Sequence, residues 1–147
     1  MPKSTYMVVM HGNRNVDDIY EEFEFLDRDE RHILIIDLGR KLEPMPDALK
    51  TENTLVRGCQ SQVWTYPVKN ADGSLHFLAD STSAITKGVI ALVLATVQDR
   101  QPSEILEVDM DGALKRFHLE NHLTSKRTGG IPNMIALIRE TAGRYLG

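Results

Sequence analysis

Cysteine is almost missing from this chain, since Cys59 is the only one among 147 residues. One thiol cannot form an internal disulfide, supply a CxxC redox pair, or hold a metal cluster or structural zinc ion with thiolates alone. Any thiol chemistry of this protein therefore involves a second molecule.

Long apolar runs and an excess of basic residues are missing as well. The apolar run Tyr6–Met10 is too short for a signal-peptide core or a membrane span, and no later stretch approaches about 18 uninterrupted apolar residues. The formal net charge is −4, and Lys and Arg are scattered, which argues against nucleic-acid binding. We expect a cytoplasmic protein without membrane or nucleic-acid partners and without a cofactor or metal.

The composition that remains is that of a soluble globular protein, with 41% hydrophobic and 26% charged residues. A chain of this length buries about two-thirds of the surface that its unfolded form exposes, so it needs no disulfide or metal for stability. We predict one domain over residues 1–147, in which residues 1–15 are loosely ordered.

Apolar residues at helical spacing predict two helices in the first third of the chain. The first covers Val16 to Leu26. Asp27 and Glu30 resemble a capping box that begins the second helix, and Pro44 and Pro46 end it. We expect the two helices to pack as a hairpin.

Strand formers dominate the middle of the chain. The segments Val63 to Lys69 and Leu75 to Asp80 flank an Asp72-Gly73 step, which predicts a β-hairpin. Pro67 cannot donate a ladder hydrogen bond, so its strand belongs at a sheet edge or a bulge. Leu55-Val56 is a candidate for one more short strand before the hairpin.

Helices are predicted again in the last part of the chain. Ala84 to Val97 is apolar on most of its circumference and is the best candidate for a central buried helix. Short helices are expected from Pro102 and over Met110 to Phe117, and a final amphipathic helix over Ile131 to Tyr145. This order predicts an α+β fold in which helices cover a small antiparallel sheet.

The surroundings of Cys59 bear on its function. A lone cysteine is by default a small buried apolar residue, but Gly58 and the polar Gln60-Ser61-Gln62 indicate a loop, where reactive groups are often presented. One thiolate suffices to attack the outer sulfur of a donor persulfide. The persulfide that forms is easily reduced or oxidised, so a carrier has to shelter it.

Several short sequence motifs (called words here) resemble those of the SufE family of sulfur acceptors for cysteine desulfurases. The most specific word is VRGCQSQVW at residues 56–64. Agreement continues in KLEPMP at 41–46, ADS at 79–81, TKGVIA at 86–91 and ENHLTSKRTGG at 120–130. The resemblance covers about Asp29 to Tyr145 and includes the related CsdE type.

This resemblance implies a function for Cys59. In the family the corresponding cysteine takes persulfide sulfur from a PLP-dependent cysteine desulfurase of the SufS type, stimulates that enzyme, and delivers sulfur to a scaffold complex for Fe–S cluster assembly. The protein is then an accessory carrier and not itself an enzyme. The implied fold is α+β, as in SufE and in cluster scaffolds of the IscU type.

The resemblance also implies residues that support Cys59 or bind partners. Arg127 occupies the place of an arginine near the cysteine loop and would favour the thiolate by its charge. The candidates are Gly58, Gln60, Ser61, Gln62, Asp80 and Arg127. One departure is that the usual Asp-Ser-Asp word reads Asp80-Ser81-Thr82 here.

Other interpretations remain open at this point. Cys59 could serve a single-cysteine thiol peroxidase, which needs a cationic pocket around the thiolate, or it could be a bystander in an adaptor that activates a desulfurase non-covalently. His118 and His122 are spaced to share a helical face, yet two imidazoles make only a weak metal signal. Trp64 is expected in the core.

Overall fold

The computed structural model describes residues 15–58, 61–119 and 130–146. It begins with two helices, α1 (Val16–Glu24) and α2 (Arg28–Arg40). Asn15, the last residue of the segment predicted to be loosely ordered, caps α1 by accepting a hydrogen bond of 2.7 Å from the Asp17 N–H. The remainder of that segment, residues 1–14, lies outside the described residues.

The capping box at the start of α2 is confirmed. Asp27 Oδ1 accepts from the Glu30 N–H at 2.9 Å, and Glu30 Oε1 accepts from the Asp27 N–H at 3.0 Å. A short 3₁₀ helix, Asp47–Leu49, follows the proline-rich segment after α2.

The predicted α1–α2 hairpin is wrong, because α2 packs mainly on the central helix α3 (Ala84–Val97). Two glycines bring these helices together: a Cβ on Gly39 would lie 2.7 Å from the Gly88 nitrogen, and one on Gly88 would overlap the Ile35 carbonyl. A short connection between two helices suggests that they pack on each other. Here the close approach of Gly39 and Gly88 instead makes the apolar face of α2 pack on α3.

A two-stranded antiparallel sheet follows the first helices, formed by β1 (Val63–Lys69) and β2 (Leu75–Ser81). Gly73 in the turn has a φ of +88°, which a residue with a side chain rarely adopts. Pro67 lies opposite Phe77, whose backbone N–H and C=O bind the side chain of Gln98, each at 2.7 Å. The missing N–H of Pro67 therefore costs no hydrogen bond to β2, which agrees with the predicted edge position.

The remaining helices are α4 (Pro102–Glu107), α5 (Met110–Arg116) and α6 (Ile131–Arg144). The bounds predicted for α3 are confirmed, and Ser83 caps it by accepting from the Thr86 N–H at 3.3 Å. α3 contacts α1, α2, β2 and α5, while α4 contacts α6. The α+β class is confirmed, with α3 as the buried centre.

Strand alternation decides which hairpin residues enter the core. Leu75, Phe77 and Ala79 of β2 are buried toward α3. Trp64 follows the buried Val63 and therefore points to the opposite face, where it is only partly buried. The expectation that Trp64 belongs to the core is wrong. Among the described residues, no helix has the length and apolarity to cross a membrane.

Candidate functional site: the cysteine loop

The segment that carries Cys59 is closed by backbone pairing at both of its ends. The Val56 N–H donates to the Val63 carbonyl at 2.7 Å, and the Thr65 N–H donates to the Thr54 carbonyl at 2.9 Å. Leu55 forms an antiparallel bridge with Trp64. The predicted short strand is thus a single bridge, and residues 57–62, named here the cysteine loop, connect it to β1.

Two predicted loop residues, Cys59 and Gln60, lie outside the described residues. The arms on either side are described. Arg57 and Gly58 are exposed, and the φ of Gly58 is +96°. This left-handed conformation is accessible to glycine at no steric cost. Glycine is therefore favoured before the cysteine because the chain turns there with a positive φ.

The first arm is held by the last helix. Asn133, in the first turn of α6, donates a hydrogen bond of 2.9 Å from Nδ2 to the Arg57 carbonyl oxygen. Buried Ile131 and Met134 on either side of Asn133 fix the rotation of α6 on the core and leave the amide exposed toward the loop. Nothing in the sequence pattern pointed to Asn133, because the contact joins residues 76 positions apart.

The second arm is held by the segment before α3. Thr82 Oγ1 accepts from the Gln62 N–H, and the Thr82 N–H donates to the Gln62 carbonyl, both at 3.1 Å. Thr82 is the residue that departs from the Asp-Ser-Asp word of the SufE family. In this chain the Thr82 hydroxyl oxygen is the acceptor of the Gln62 N–H. Ser61 beside it is half-buried and Gln62 is exposed.

Asp80 lies at the base of the loop, opposite Trp64 in the sheet register. Its carboxylate binds Lys50 Nζ at 2.7 Å and Lys87 Nζ at 3.4 Å, and it accepts from the Ser81 N–H at 2.8 Å. Burial raises the pKa of Asp80, but the Lys50 and Ser81 hydrogen bonds and the charge of Lys87 outweigh it, so the pKa lies below its ordinary value.

Lys50 is a second residue that the sequence did not single out. Besides binding Asp80, its ammonium lies 5.6 Å from the centre of the Trp64 ring, a cation–π contact. Lys50 thus joins the segment before the loop to both strands of the hairpin. A charge contact of this kind has no local signature, since it depends on how the 3₁₀ segment packs.

The described residues therefore bring four of the predicted site positions together. Gly58 and the pair Ser61 and Gln62 form the loop arms, and Asp80 lies beneath them. Arg127 falls within residues 120–129, outside the described part of the chain, so its expected position near the thiol stays a prediction.

Two cavities lie away from the described arms of the cysteine loop. One of about 330 Å³ lies between the start of α1 and the ends of α2 and α3. Another of about 370 Å³ is lined by residues of α2 together with Phe117 and His118. Arg57, Gly58 and Gln62 are exposed, so the described arms of the cysteine loop lie at the protein surface, a geometry suited to contact with a macromolecular partner.

The structure does not support the weak metal signal of His118 and His122 at His118. His118 lies beyond the end of α5 with a φ of +59°, so it does not continue a helical face. His122 lies outside the described residues. Across residues 15–58, 61–119 and 130–146, no group of three or more His, Cys, Asp or Glu side chains is placed to hold a metal ion.

Comparison with known proteins agrees with this architecture. The model of the SufE Fe-S metabolism associated domain matches residues 17–142. An uncharacterized SufE-like protein of Rhizobium meliloti (strain 1021) is 36% identical over 132 residues, which cover 87% of this chain and 94% of that protein. The solution structure of a hypothetical protein from Thermus thermophilus superposes with a TM-score of 0.71 at 19% identity, over 89% of this chain and 95% of that one.

The structural neighbour supports the fold alone, whereas the domain match defines a class of protein, those associated with Fe–S metabolism. The chain belongs to the SufE family. The resemblance that rested on VRGCQSQVW and the other words is confirmed, and a role in Fe–S metabolism follows from it.

Proposed function

We propose that this protein accepts sulfur on Cys59 from the persulfide of a PLP-dependent cysteine desulfurase of the SufS type and delivers it for Fe–S cluster assembly. The observation that carries the proposal is the cysteine loop of a SufE-family chain: a short connection closed by Val56 and Val63 and anchored at Arg57 and Gln62. The arms are fixed by these contacts, and loops on a fixed scaffold are where reactive groups are often found.

The chemistry is thiol–persulfide exchange. The Cys59 thiolate attacks the outer sulfur of the donor persulfide, a new S–S bond forms at Cys59, and the old S–S bond breaks. Its electron pair leaves with the donor cysteine as a thiolate, so the step needs no external oxidant or reductant. The charge is conserved, because one thiolate and one persulfide anion become another such pair.

Stimulation of the desulfurase follows from this step. Removal of the persulfide returns the donor cysteine to the thiolate that the next turnover needs, so a fast acceptor raises the turnover rate. Delivery repeats the exchange with Cys59 as the donor and a thiolate of the scaffold complex as the acceptor. The protein acts as an accessory carrier, and its proposed place of action is the cytoplasm.

The neighbours of Cys59 have supporting roles in the proposal. Arg127, by its charge, favours the Cys59 thiolate over the thiol. Gly58 permits the turn, and Gln60, Ser61 and Gln62 keep the segment polar and able to meet a partner. Asp80 holds Lys50 and Lys87 at the loop base and so fixes the strand on which the loop stands.

Intact-protein mass spectrometry tests the proposal. Incubation with an active cognate desulfurase and cysteine should add about 32 Da, one sulfur atom, to the wild-type chain and nothing to Cys59→Ser. No adduct on the wild type, with a working desulfurase, contradicts the proposal.

The two rival hypotheses give different results. If Cys59→Ser retains full stimulation of the desulfurase, the chain is a non-covalent adaptor. If peroxide oxidises Cys59 stoichiometrically and far faster than it oxidises a free thiol, the chain is a thiol peroxidase.

A further inference from the structure

Asn133 connects the last helix to the arm of the cysteine loop that leads into Cys59. Its amide Nδ2 lies 2.9 Å from the carbonyl oxygen of Arg57, two positions before the thiol. An oxygen acceptor requires the nitrogen of the amide, so the orientation of the Asn133 side chain is determined by this contact.

The geometry points to a defined task for this contact. With the Arg57 carbonyl held on α6 and Val56 paired to Val63, the freedom left in the first arm is rotation about Gly58, whose φ is +96°. The position of the Arg57 peptide then fixes the point from which the chain continues toward Cys59, and rotation about Gly58 sets its direction. A side chain that fixes this peptide therefore restricts where Cys59 can be presented.

We propose that Asn133 is a positioning residue for sulfur transfer: its hydrogen bond to Arg57 holds the arm of the cysteine loop in the arrangement in which Cys59 meets the donor persulfide. The inference rests on the proposed function and extends it to a residue on a different element. Asn133 does not touch the reacting sulfur atoms. It lowers the conformational freedom that the loop must give up in the complex.

Local packing supports a role in positioning more than a role in stability. Asn133 is exposed, and α6 is held by the buried side chains of Ile131, Met134 and Ile135. Alanine is a better helix former than asparagine, so Asn133→Ala removes the contact with Arg57 without weakening α6. A change in sulfur transfer then reports on the loop.

A matched control exists at the other end of the hairpin. Gln101, which precedes α4, donates from Nε2 to the Asp72 carbonyl at 3.1 Å. It is likewise an exposed amide at the start of a helix that binds a loop carbonyl. Gln101→Ala removes a contact of the same kind far along the chain from Cys59.

The experiment measures stimulation of the cognate desulfurase against the concentration of each variant. For Asn133→Ala we expect the maximal rate to fall about fivefold, the equivalent of one hydrogen bond of ~1 kcal/mol. The half-saturating concentration should change by less than about twofold, because docking is retained. Asn133→Gln, which keeps the donor, should recover much of the rate, and Gln101→Ala should match wild type.

Three outcomes overturn the inference. They are a wild-type rate for Asn133→Ala, an equal loss in Gln101→Ala, or a raised half-saturating concentration with an unchanged maximal rate. The first denies any role, the second indicates general destabilisation, and the third indicates a partner contact. The mass gain on the wild-type chain is measured in parallel, so failure of the proposed function is recognised separately by its absence.

Discussion

Thr82 and Gln62 are joined by two hydrogen bonds of 3.1 Å, which tie the backbone of the second arm of the cysteine loop to the segment before α3. One of them uses the Thr82 hydroxyl and can be removed without a change of shape. Thr82→Val keeps the branched side chain and leaves the Gln62 N–H without its acceptor.

We expect Thr82→Val to loosen the loop by about 1 kcal/mol, the usual net value of one such bond. Amide exchange at Ser61 and Gln62, followed by mass spectrometry, should become about fivefold faster. Thr82→Ser retains the hydroxyl and should exchange at the wild-type rate. Equal exchange in all three proteins would show that the hydroxyl contact does not hold the arm.

The Asp80 ion pairs should stabilise the fold in a pH-dependent way. The folded pKa of Asp80 lies below its ordinary value, so its contribution is present above the unfolded pKa and is lost as the pH falls through the folded pKa. Because the side chain is 20% exposed, Asp80→Asn should lower the free energy of unfolding at pH 7 by about 1–2 kcal/mol, between surface and buried pairs.

Urea denaturation at pH 7 and pH 3 checks this expectation, since the difference between Asp80→Asn and wild type should shrink at the lower pH. Asp47→Asn is the matched control, because Asp47 binds the same Lys50 at 3.3 Å from a side chain that is 98% exposed. A loss in Asp47→Asn as large as that in Asp80→Asn would contradict the argument.

His76 should contribute stability with the opposite pH dependence. Burial lowers the pKa of His76, but hydrogen bonds to Glu43 at 2.7 Å and Asp99 at 2.9 Å outweigh it and raise the pKa above its ordinary value. Its contribution is therefore complete below the unfolded pKa and is lost as the pH rises through the folded pKa.

Between pH 6 and pH 8.5, the free energy of unfolding of the wild type should fall by up to about 1 kcal/mol more than that of His76→Gln. Solvent screening keeps this difference small. The measurement is the free energy of unfolding in urea at the two pH values. A larger loss in His76→Gln than in wild type would reverse the assigned sign.

Gly88 should be intolerant of a side chain because α2 and α3 approach each other there. A methyl group on Gly88 would overlap the Ile35 backbone, so Gly88→Ala should lower the free energy of unfolding by about 1–3 kcal/mol through overpacking. Gly143 in α6 has open space around the corresponding position. Gly143→Ala should instead stabilise by about 0.5–1 kcal/mol, the difference in helix propensity. Thermal unfolding of both variants decides, and destabilisation by both would remove the packing explanation.

Local patterns were sufficient to predict the elements of this fold. The apolar periodicity located α3 at Ala84–Val97, the Asp-Gly step located the turn at Gly73, and Asp27 with Glu30 predicted the capping box. These features are readable because the interactions that form them join residues a few positions apart. The helix partner of α2 and the face of Trp64 were misjudged, because they depend on packing between elements.

By itself the sequence determined that thiol chemistry must be intermolecular, since Cys59 has no second cysteine, and its words around Cys59 established the family. Only the tertiary structure decided what holds the cysteine loop: Asn133 at Arg57, Thr82 at Gln62, and Lys50 with Asp80 beneath. The physical reason is the sequence separation over which these interactions act. Composition and periodicity act within a segment, whereas a polar side chain finds a partner 76 positions away only after the apolar face of α6 has packed into the core.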